Sequence, residues 1–284
     1  MNPVAQIYEY LRARSLRESE TWKPASEIRF RPSEIGGCAR EIYYRLAGNK
    51  PNDFSPETRL LFADGDLHHD AVRRLMLEAG VELSDLIFTE TTITETGSAR
   101  RTIDVEFADK VYPVLLSGRT DGSIKFGDTI VLLELKSIGK NKYDNFQRVF
   151  AKGGPNALLK ILRADTKDKD SKRQAKHANR RFWYQFQTTL LVTNQPAVYV
   201  VFKNRDTGQI GLVGDDGVRA GLLVEADAAV QSTILKRCAM ILRALERQQP
   251  PSAEFMDGSM SCNMCNFYHL CWGANKEKDN AEIS

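Results

Sequence analysis

The sequence predicts a mixed α/β (α+β) fold, a mixed central sheet flanked by helices, on three observations. Helical periodicity marks both ends of the chain and one interior stretch. A block of strand-like runs lies between residues 86 and 136, and a second run, Ala197-Val-Tyr-Val-Val-Phe-Lys203, follows the interior helix. Helices, strands, a helix, strands and a helix, in that order, suit one sheet with helices laid on it.

Each element has its own signal. Val4, Ile7, Tyr8 and Leu11 make a helical stripe over residues 3–18. Ser33 is a candidate cap for a helix running through Cys38 to Leu46, stopped ahead of Gly48 and Pro51. Ser55-Pro56-Glu57 offers a capping hydroxyl, a proline at the first position and an early acid. That helix continues through Leu61, His69 and Val72 to Leu77 and stops at Gly80. Strands are expected at 86–94, 101–107, 111–117 and 129–136, with turns at Gly97, Asp109, Gly122 and Gly127. The interior helix spans Arg180 to Thr193. After the 197–203 strand, Asp206-Thr-Gly208 turns the chain toward Ile210–Val213. The last helix covers Ala226 to Gln248, closed by Pro250-Pro251. No repeat and no Pro/Gly/Ser-rich linker divides the chain, so residues 1–284 are expected to form a single domain.

At 284 residues, with 42% hydrophobic and 27% charged side chains, the chain can bury a full core. No run approaches the ~18 consecutive apolar residues that span a bilayer. Met1-Asn-Pro-Val-Ala does not begin a secretion signal, so a cytoplasmic location and no membrane partner are expected. A net charge of +3 does not by itself mark a binder of polyanions. Its distribution is more telling. Nine lysines and arginines against three aspartates lie between Lys160 and Arg181, Lys172, Arg173, Arg180 and Arg181 among them. Such a cluster tracks phosphates or forms a solvated loop; the charges alone leave both open.

The chemistry concentrates in Gly118-Arg119-Thr120-Asp121-Gly122 and the strand Val131-Leu-Leu-Glu134-Leu135-Lys136. Strand side chains alternate, so Glu134 and Lys136 share a face while Leu133 and Leu135 point into a core. Two converging carboxylates can hold Mg²⁺ or Mn²⁺, and an ammonium beside them can polarise a water or a phosphate oxygen. The plain alternative is an Asp-Gly turn and the polar face of an edge strand. Against it, Ile130 to Leu135 is otherwise apolar, as in a strand buried on both faces, where a charged pair needs a partner. Upstream, His68 and His69 lie on a predicted helix, and one imidazole facing inward would tilt an oxygen site toward Mn²⁺. Downstream, Gln185 and Gln187 lie on the interior helix. Near the C-terminus, Cys262-x2-Cys265-x5-Cys271 joins a distant Cys38 as four soft ligands for Zn²⁺ or a [4Fe–4S] cluster. The fifth cysteine, Cys238, has core spacing in the last helix and is set apart.

The order and spacing of these motifs resemble the PD-(D/E)XK nuclease superfamily, in particular RecB-like and AddB-like iron–sulfur exonucleases and the CRISPR-associated RecB-like exonucleases. The resemblance runs from about residue 30 to Trp272. Gly65-x-x-x-His69 matches the family's helix motif and favours His69 over His68. Gln185 matches the glutamine that follows the acid-x-Lys strand, although Thr189 stands where the family carries tyrosine, which leaves Gln187 open. Cys38 with the C-terminal trio matches the arrangement in which a cluster closes the C-terminal segment onto an N-terminal helix, residues 30–50 and 255–275. The implied ligands of Mg²⁺ or Mn²⁺ are His69, Asp121, Glu134 and the carbonyl of Leu135. Lys136 and Gln185 complete the catalytic set, with DNA contacts at Arg119 and the basic cluster.

The implied activity is exonucleolytic cleavage of DNA, single-stranded ends above all, in recombination, repair, or phage or CRISPR DNA processing. The sequence holds no Gly-x4-Gly-Lys-Ser/Thr phosphate loop, so a stand-alone nuclease rather than a fragment of a motor is expected. Recombination or CRISPR-adaptation proteins are the implied protein partners, and a homo-oligomer stays open. Two alternatives stand beside this: an endonuclease subunit of a larger DNA-processing complex, and a non-catalytic, zinc-containing nucleic-acid-binding module.

Overall fold

A computed structural model describes residues 3–84, 98–126, 129–163, 173–257 and 259–273. The chain divides into two compact units. One comprises Met1–Ile28, Gly37–Asp64 and Ala239–Ser284; the other comprises Arg29–Gly36 and Gly65–Cys238.

In chain order the elements are α1 (Pro3–Glu20), α2 (Pro32–Ile35), α3 (Ala39–Leu46), α4 (Pro56–Glu78), β1 (Leu83–Ser84), β2 (Ser98–Phe107), β3 (Lys110–Arg119), β4 (Ser123–Phe126) and β5 (Thr129–Ile138). There follow α5 (Lys140–Arg163), α6 (Arg173–Thr193), β6 (Ala197–Asn204), β7 (Leu212–Val213), β8 (Arg219–Ala220), β9 (Leu222–Glu225), α7 (Ala228–Glu246), α8 (Met260–Asn263) and a π-helical turn, His269–Gly273. The predicted strand at 86–94 and the turns at Gly97 and Gly127 lie outside the described residues. No helix among the described residues is long and apolar enough to cross a membrane.

The fold is mixed α/β, as the residue pattern predicts. The larger unit is built on a five-stranded sheet in the order β1-β4-β5-β6-β9. β5 and β6 run parallel, Leu132 opposite Val198 through Ile138 opposite Asn204, and the other pairings are antiparallel. A parallel pair needs a long crossover, and α5 and α6 supply it. β5 is the middle strand, and its alternation sorts two cores. Leu132 joins Val198, Val200 and Phe202 beneath α5 and α6, through Phe146, Leu158, Trp183 and Phe186. Val131, Leu133 and Leu135 join Ile124 and Val201 on the other face, against Val72 and Met76 of α4. Glu134 and Lys136 therefore share the α5/α6 face with Leu132.

β2 and β3 pair antiparallel from Ser98 opposite Arg119 to Phe107 opposite Lys110. Their two-residue turn, Ala108-Asp109, has positive φ at both positions (50° and 66°), the twist that a tight hairpin requires.

Three sequence expectations change. The helix drawn from Ser33 to Leu46 is two helices, α2 and α3, broken over Gly36, Gly37 and Cys38. Ser33 lies inside α2; Glu34 instead accepts from the Arg31 N–H at 2.8 Å to close its start. The interior helix starts at Arg173 rather than Arg180. No helix is predicted over residues 140–163, where α5 lies with Gly153-Gly154-Pro155 inside it. The chain does bend there, Gly154 adopting φ 64° and ψ −162°, yet Phe146 and Leu158 on either side bury in one core.

In the smaller unit, Arg59 donates to Glu18 at 2.6 Å and to Ser15 at 3.0 Å, tying the start of α4 to α1. Phe54 and Phe62 meet edge to face at 5.0 Å.

The close approach of α2 to α6 makes a prediction. A Cβ on Gly36 would lie 2.6 Å from Cα and 3.1 Å from the carbonyl oxygen of Arg181, backbone that cannot swing away. Gly36→Ala should therefore destabilise the fold by about 1–3 kcal/mol. Chemical denaturation reads this directly, and an unchanged midpoint would show that the two helices separate freely.

Candidate active site and cysteine cluster

Asp121 sits at the joint between β3 and β4, where Gly122 takes φ 130°, a conformation few other residues adopt. The Gly122 carbonyl accepts from Leu133 N–H at 2.8 Å, which pins the joint to the middle strand. Asp121 Oδ2 then accepts from the Leu135 N–H at 2.7 Å, and Oδ1 meets His69 Nδ1 at 3.2 Å. The Arg73 guanidinium donates to the Asp121 carbonyl from one turn further along α4.

Glu134, in the C-terminal half of β5, is 4% exposed. Its Oε1 accepts from the Lys136 ammonium and from Gln185 Nε2, the latter at 2.8 Å. Thus α4, the β3–β4 joint, β5 and α6 each deliver a polar side chain to one end of the middle strand. Two alternatives left open by the residue pattern are separated by their contacts. His68 Nδ1 lies 2.7 Å from Lys203 Nζ, and its neighbour His69 faces Asp121. Gln187 is fully buried, donating to the Glu225 carbonyl and accepting from the Asp227 N–H, and ties α6 to the junction of β9 and α7. Gln185 faces Glu134.

The electrostatics follow the contacts. His69 is raised, chiefly by its hydrogen bond to Asp121, against the effect of burial. Burial alone would raise Asp121, but His69, the Leu135 N–H and Lys136 together hold it below the ordinary carboxylate value. Burial raises Glu134; Lys136 opposes this and the Asp121 charge adds to it. Two acids that repel one another in a buried place are a reason for a cation to bind. The donor set, two carboxylates and an imidazole, has the chemistry of a Mg²⁺ or Mn²⁺ site. As placed, these donors are spent on one another: among the described residues, no three His, Cys, Asp or Glu side chains are gathered so as to hold a metal ion.

The expected DNA contacts are scattered. Arg119 ends β3 exposed to solvent, Arg181 donates to the Ser33 carbonyl at 3.2 Å, and Arg180 lies 5.8 Å over the Tyr184 ring. Arg173 opens α6, and Lys172 lies outside the described residues. Arg73 and Lys142 touch the network or its surroundings without a sequence signal; neither stands at a spacing that marks it.

The four predicted cluster cysteines all fall in the smaller unit, in reduced form. Cys38 precedes α3, and α3 is fastened to the C-terminal segment. Arg40 donates to the Pro251 carbonyl at 2.7 Å, Tyr44 to the Leu270 carbonyl at 3.1 Å, and Tyr44 stacks obliquely near Phe267. Burial pushes Cys265 up to about 12, and thiolate charge on Cys271 and Cys38 adds to it. Burial likewise raises Cys271, with Cys38 and Cys262 adding and Arg40 opposing. Cys271 thus lies within electrostatic reach of Cys38, Cys262 and Cys265, although no three of these cysteines are gathered so as to hold a metal ion. Cys238, fully buried in α7 and raised by that burial, is a core residue.

No protein-family model matches the sequence, and neither does any curated protein. Among solved structures, the chain is similar to SSO0001, at 16% identity and a TM-score of 0.43 over 93% of this chain and 94% of that one. It is also similar to LHK-Exo, an alkaline exonuclease from Laribacter hongkongensis, at 16% identity and a TM-score of 0.41 over 84% and 93% of the two chains. The same exonuclease in complex with dAMP gives 17% identity and a TM-score of 0.41, over 81% and 93%.

The ion pair between His69 and Asp121 sets a pH window. The raised imidazole stabilises the fold at low pH and loses that contribution as pH rises through its folded-state value. The lowered carboxyl contributes above its ordinary value and loses this as pH falls through its own. Between the two, the pair is intact. By NMR titration of the chelator-treated protein, His69 should titrate above an ordinary imidazole, and Asp121→Asn should move it down. A midpoint indifferent to that substitution would mean the two side chains do not meet in solution.

Proposed function

We propose that this chain is a metal-dependent deoxyribonuclease of the PD-(D/E)XK type, an exonuclease acting on single-stranded or free DNA ends. One observation carries it. Asp121 and Glu134 are held at the same end of a buried strand, with Lys136 and Gln185 hydrogen-bonded to Glu134 and His69 to Asp121.

His69, Asp121, Glu134 and the Leu135 carbonyl would hold Mg²⁺ or Mn²⁺, which supplies an activated water and neutralises charge on the scissile phosphate. The protein's own groups do the rest. Lys136 presents an ammonium on the face of β5 that Glu134 occupies, ready to stabilise negative charge that builds on phosphate oxygens. Gln185 fixes the Glu134 carboxylate from α6, so that the acid is oriented before a substrate arrives. Asp121 orients the His69 ring through Nδ1. The exposed Arg119, and Arg180 and Arg181 with the basic segment ahead of them, would meet the DNA backbone. Both compact units serve one nuclease in this proposal.

Cys38, Cys262, Cys265 and Cys271 would hold a structural [4Fe–4S] cluster. Four cysteine thiols are the soft donors that such a group binds as thiolates. The joining of Cys38 to a distant C-terminal trio would constrain the unfolded chain by closing a long loop. Zinc would use the same thiols.

Cleavage of end-labelled linear and covalently closed circular single strands with Mn²⁺ tests the activity. Linear strands should be degraded and circles spared; equal cutting of circles would make the enzyme an endonuclease. Asp121→Asn and Lys136→Gln should each lower the rate by at least about a hundredfold in protein that circular dichroism shows to be folded. The amide replacement matters, since Lys136→Gln still offers Glu134 a hydrogen-bond donor where Lys136→Ala would offer none. Full activity in both variants would refute a catalytic site here. Freshly isolated protein should be brown, and Cys262→Ala should cost colour and stability. A colourless protein carrying one zinc would instead support a zinc-containing binding module.

A further inference from the structure

Beside Lys136 stands a second ammonium that the hydrogen-bonded network does not use. Lys142 lies in the first turn of α5, directly after β5, its N–H donating to the Gly139 carbonyl at 3.1 Å. Its Nζ stands 4.0 Å from the centre of the Phe182 ring and 5.5 Å from that of Phe146. Lys136 Nζ addresses the same Phe182 ring at 5.9 Å. Two distances to one point, 4.0 and 5.9 Å, confine the gap between the ammonium groups to less than about 10 Å.

The two lysines differ in their partners. Lys136 is paired with Glu134, and Lys140, on the solvent side, with Asp144. Among the described residues, no carboxylate bonds to Lys142. A lysine whose stem alone covers apolar surface would place its head in water. Here the head itself lies over aromatic faces, and burial pushes it down to about 8. A desolvated cation whose contacts are ring faces gains most from an arriving oxyanion.

On the nuclease proposal just made, we infer that Lys142 is a substrate-binding residue, its ammonium taking a phosphate oxygen of the DNA strand next to the phosphate addressed by Lys136. Phosphates of one strand recur about every 3.4 Å of helix axis, so cations less than about 10 Å apart suit neighbours on a single strand. The aromatic platform holds the ammonium in place before binding, and α5 fixes the platform to the end of β5. The contact positions the strand and carries no base specificity.

The test uses the full chain and a labelled single-stranded oligonucleotide, with EDTA present so that nothing is cut. Binding is read by anisotropy over a series of salt concentrations. Lys142→Gln should weaken binding about tenfold. It should also flatten the slope of log affinity against log salt by about 0.7, the loss of one phosphate contact on a single strand. Lys142→Arg should keep the slope, and Lys142→Met, which suits the aromatic surroundings, should lose it as Gln does. Oligonucleotides with a 5′-phosphate and with a 5′-hydroxyl separate the source. Equal effects assign an internal phosphodiester, and an effect confined to the phosphorylated strand assigns a terminal phosphate. Folded Gln and Met variants with the wild-type slope would overturn the inference even if the wild type cleaves DNA. A wild type that binds with the Lys142-dependent slope yet cuts nothing with Mn²⁺ would leave it standing and refute the nuclease proposal.

Discussion

A carboxylate buried in the middle strand of the sheet is the constraint from which the rest of the site follows. Glu134 sits between Leu133 and Leu135 on a strand whose neighbours are apolar on both sides, so water cannot solvate it. Its partners must come from the same face. The two-residue period of a strand brings Lys136 there, and only a helix crossing that face can bring another. α6 crosses it, with Phe186 in the core and Gln185 turned to the acid. Asp121 is secured differently, through backbone: the Leu135 N–H of the same strand anchors it at the β3–β4 joint. The middle strand thus holds one acid by a side chain and the other by a peptide group.

How much of this was legible in the sequence depended on how local each signal is. The period-two run of β5, the Asp109 turn of the hairpin and the Ser55-Pro56 start of α4 are decided within a few residues, and they appear where expected. Asp121, Glu134 and Lys136 were legible for the same reason. α5 was not. Its breaker, Gly153-Gly154-Pro155, is a true local bend, and only burial of Phe146 and Leu158 in one core joins its halves. Gly36 and Gly37 misled in the opposite way: they break what reads as one helix, because the backbone of α6 passes too close to Gly36 for any side chain. His69 over His68 and Gln185 over Gln187 turn on which way helix residues one or two positions apart face, and helix register is a tertiary property. Lys142 left no trace at all, since its significance lies in Phe182, forty residues away.

The cysteines and the carboxylates pose the same electrostatic problem with opposite chemistry. In each set, burial disfavours the ionised form and neighbouring like charges disfavour it further. The hard oxygens of Asp121 and Glu134 offset this with an imidazole, a lysine and a peptide N–H. The thiols have fewer such neighbours, Arg40 beside Cys271 among them, and a Cys265 thiol pushed up to about 12 stays protonated. A group that bound them as thiolates would stabilise the smaller unit by fixing α3 to the C-terminal segment, a junction otherwise held by contacts such as those of Arg40 and Tyr44.

The pairs within the candidate active site also explain how it would be regulated by its own ligands. Asp121 is paired with His69 and Glu134 with Lys136, so each acid already has a partner of the protein's own. A divalent ion binding the same oxygens must compete with those two, and every ligand bound as a free base releases a proton. A raised His69 makes that competition harder in acid and easier above its folded-state value. Displaced from Glu134, the Lys136 ammonium would be left without its partner on the face it shares with Lys142. Two uncompensated cations over one aromatic ring repel, and a phosphate arriving between them relieves both. On the nuclease proposal, ion binding and strand binding would then favour one another.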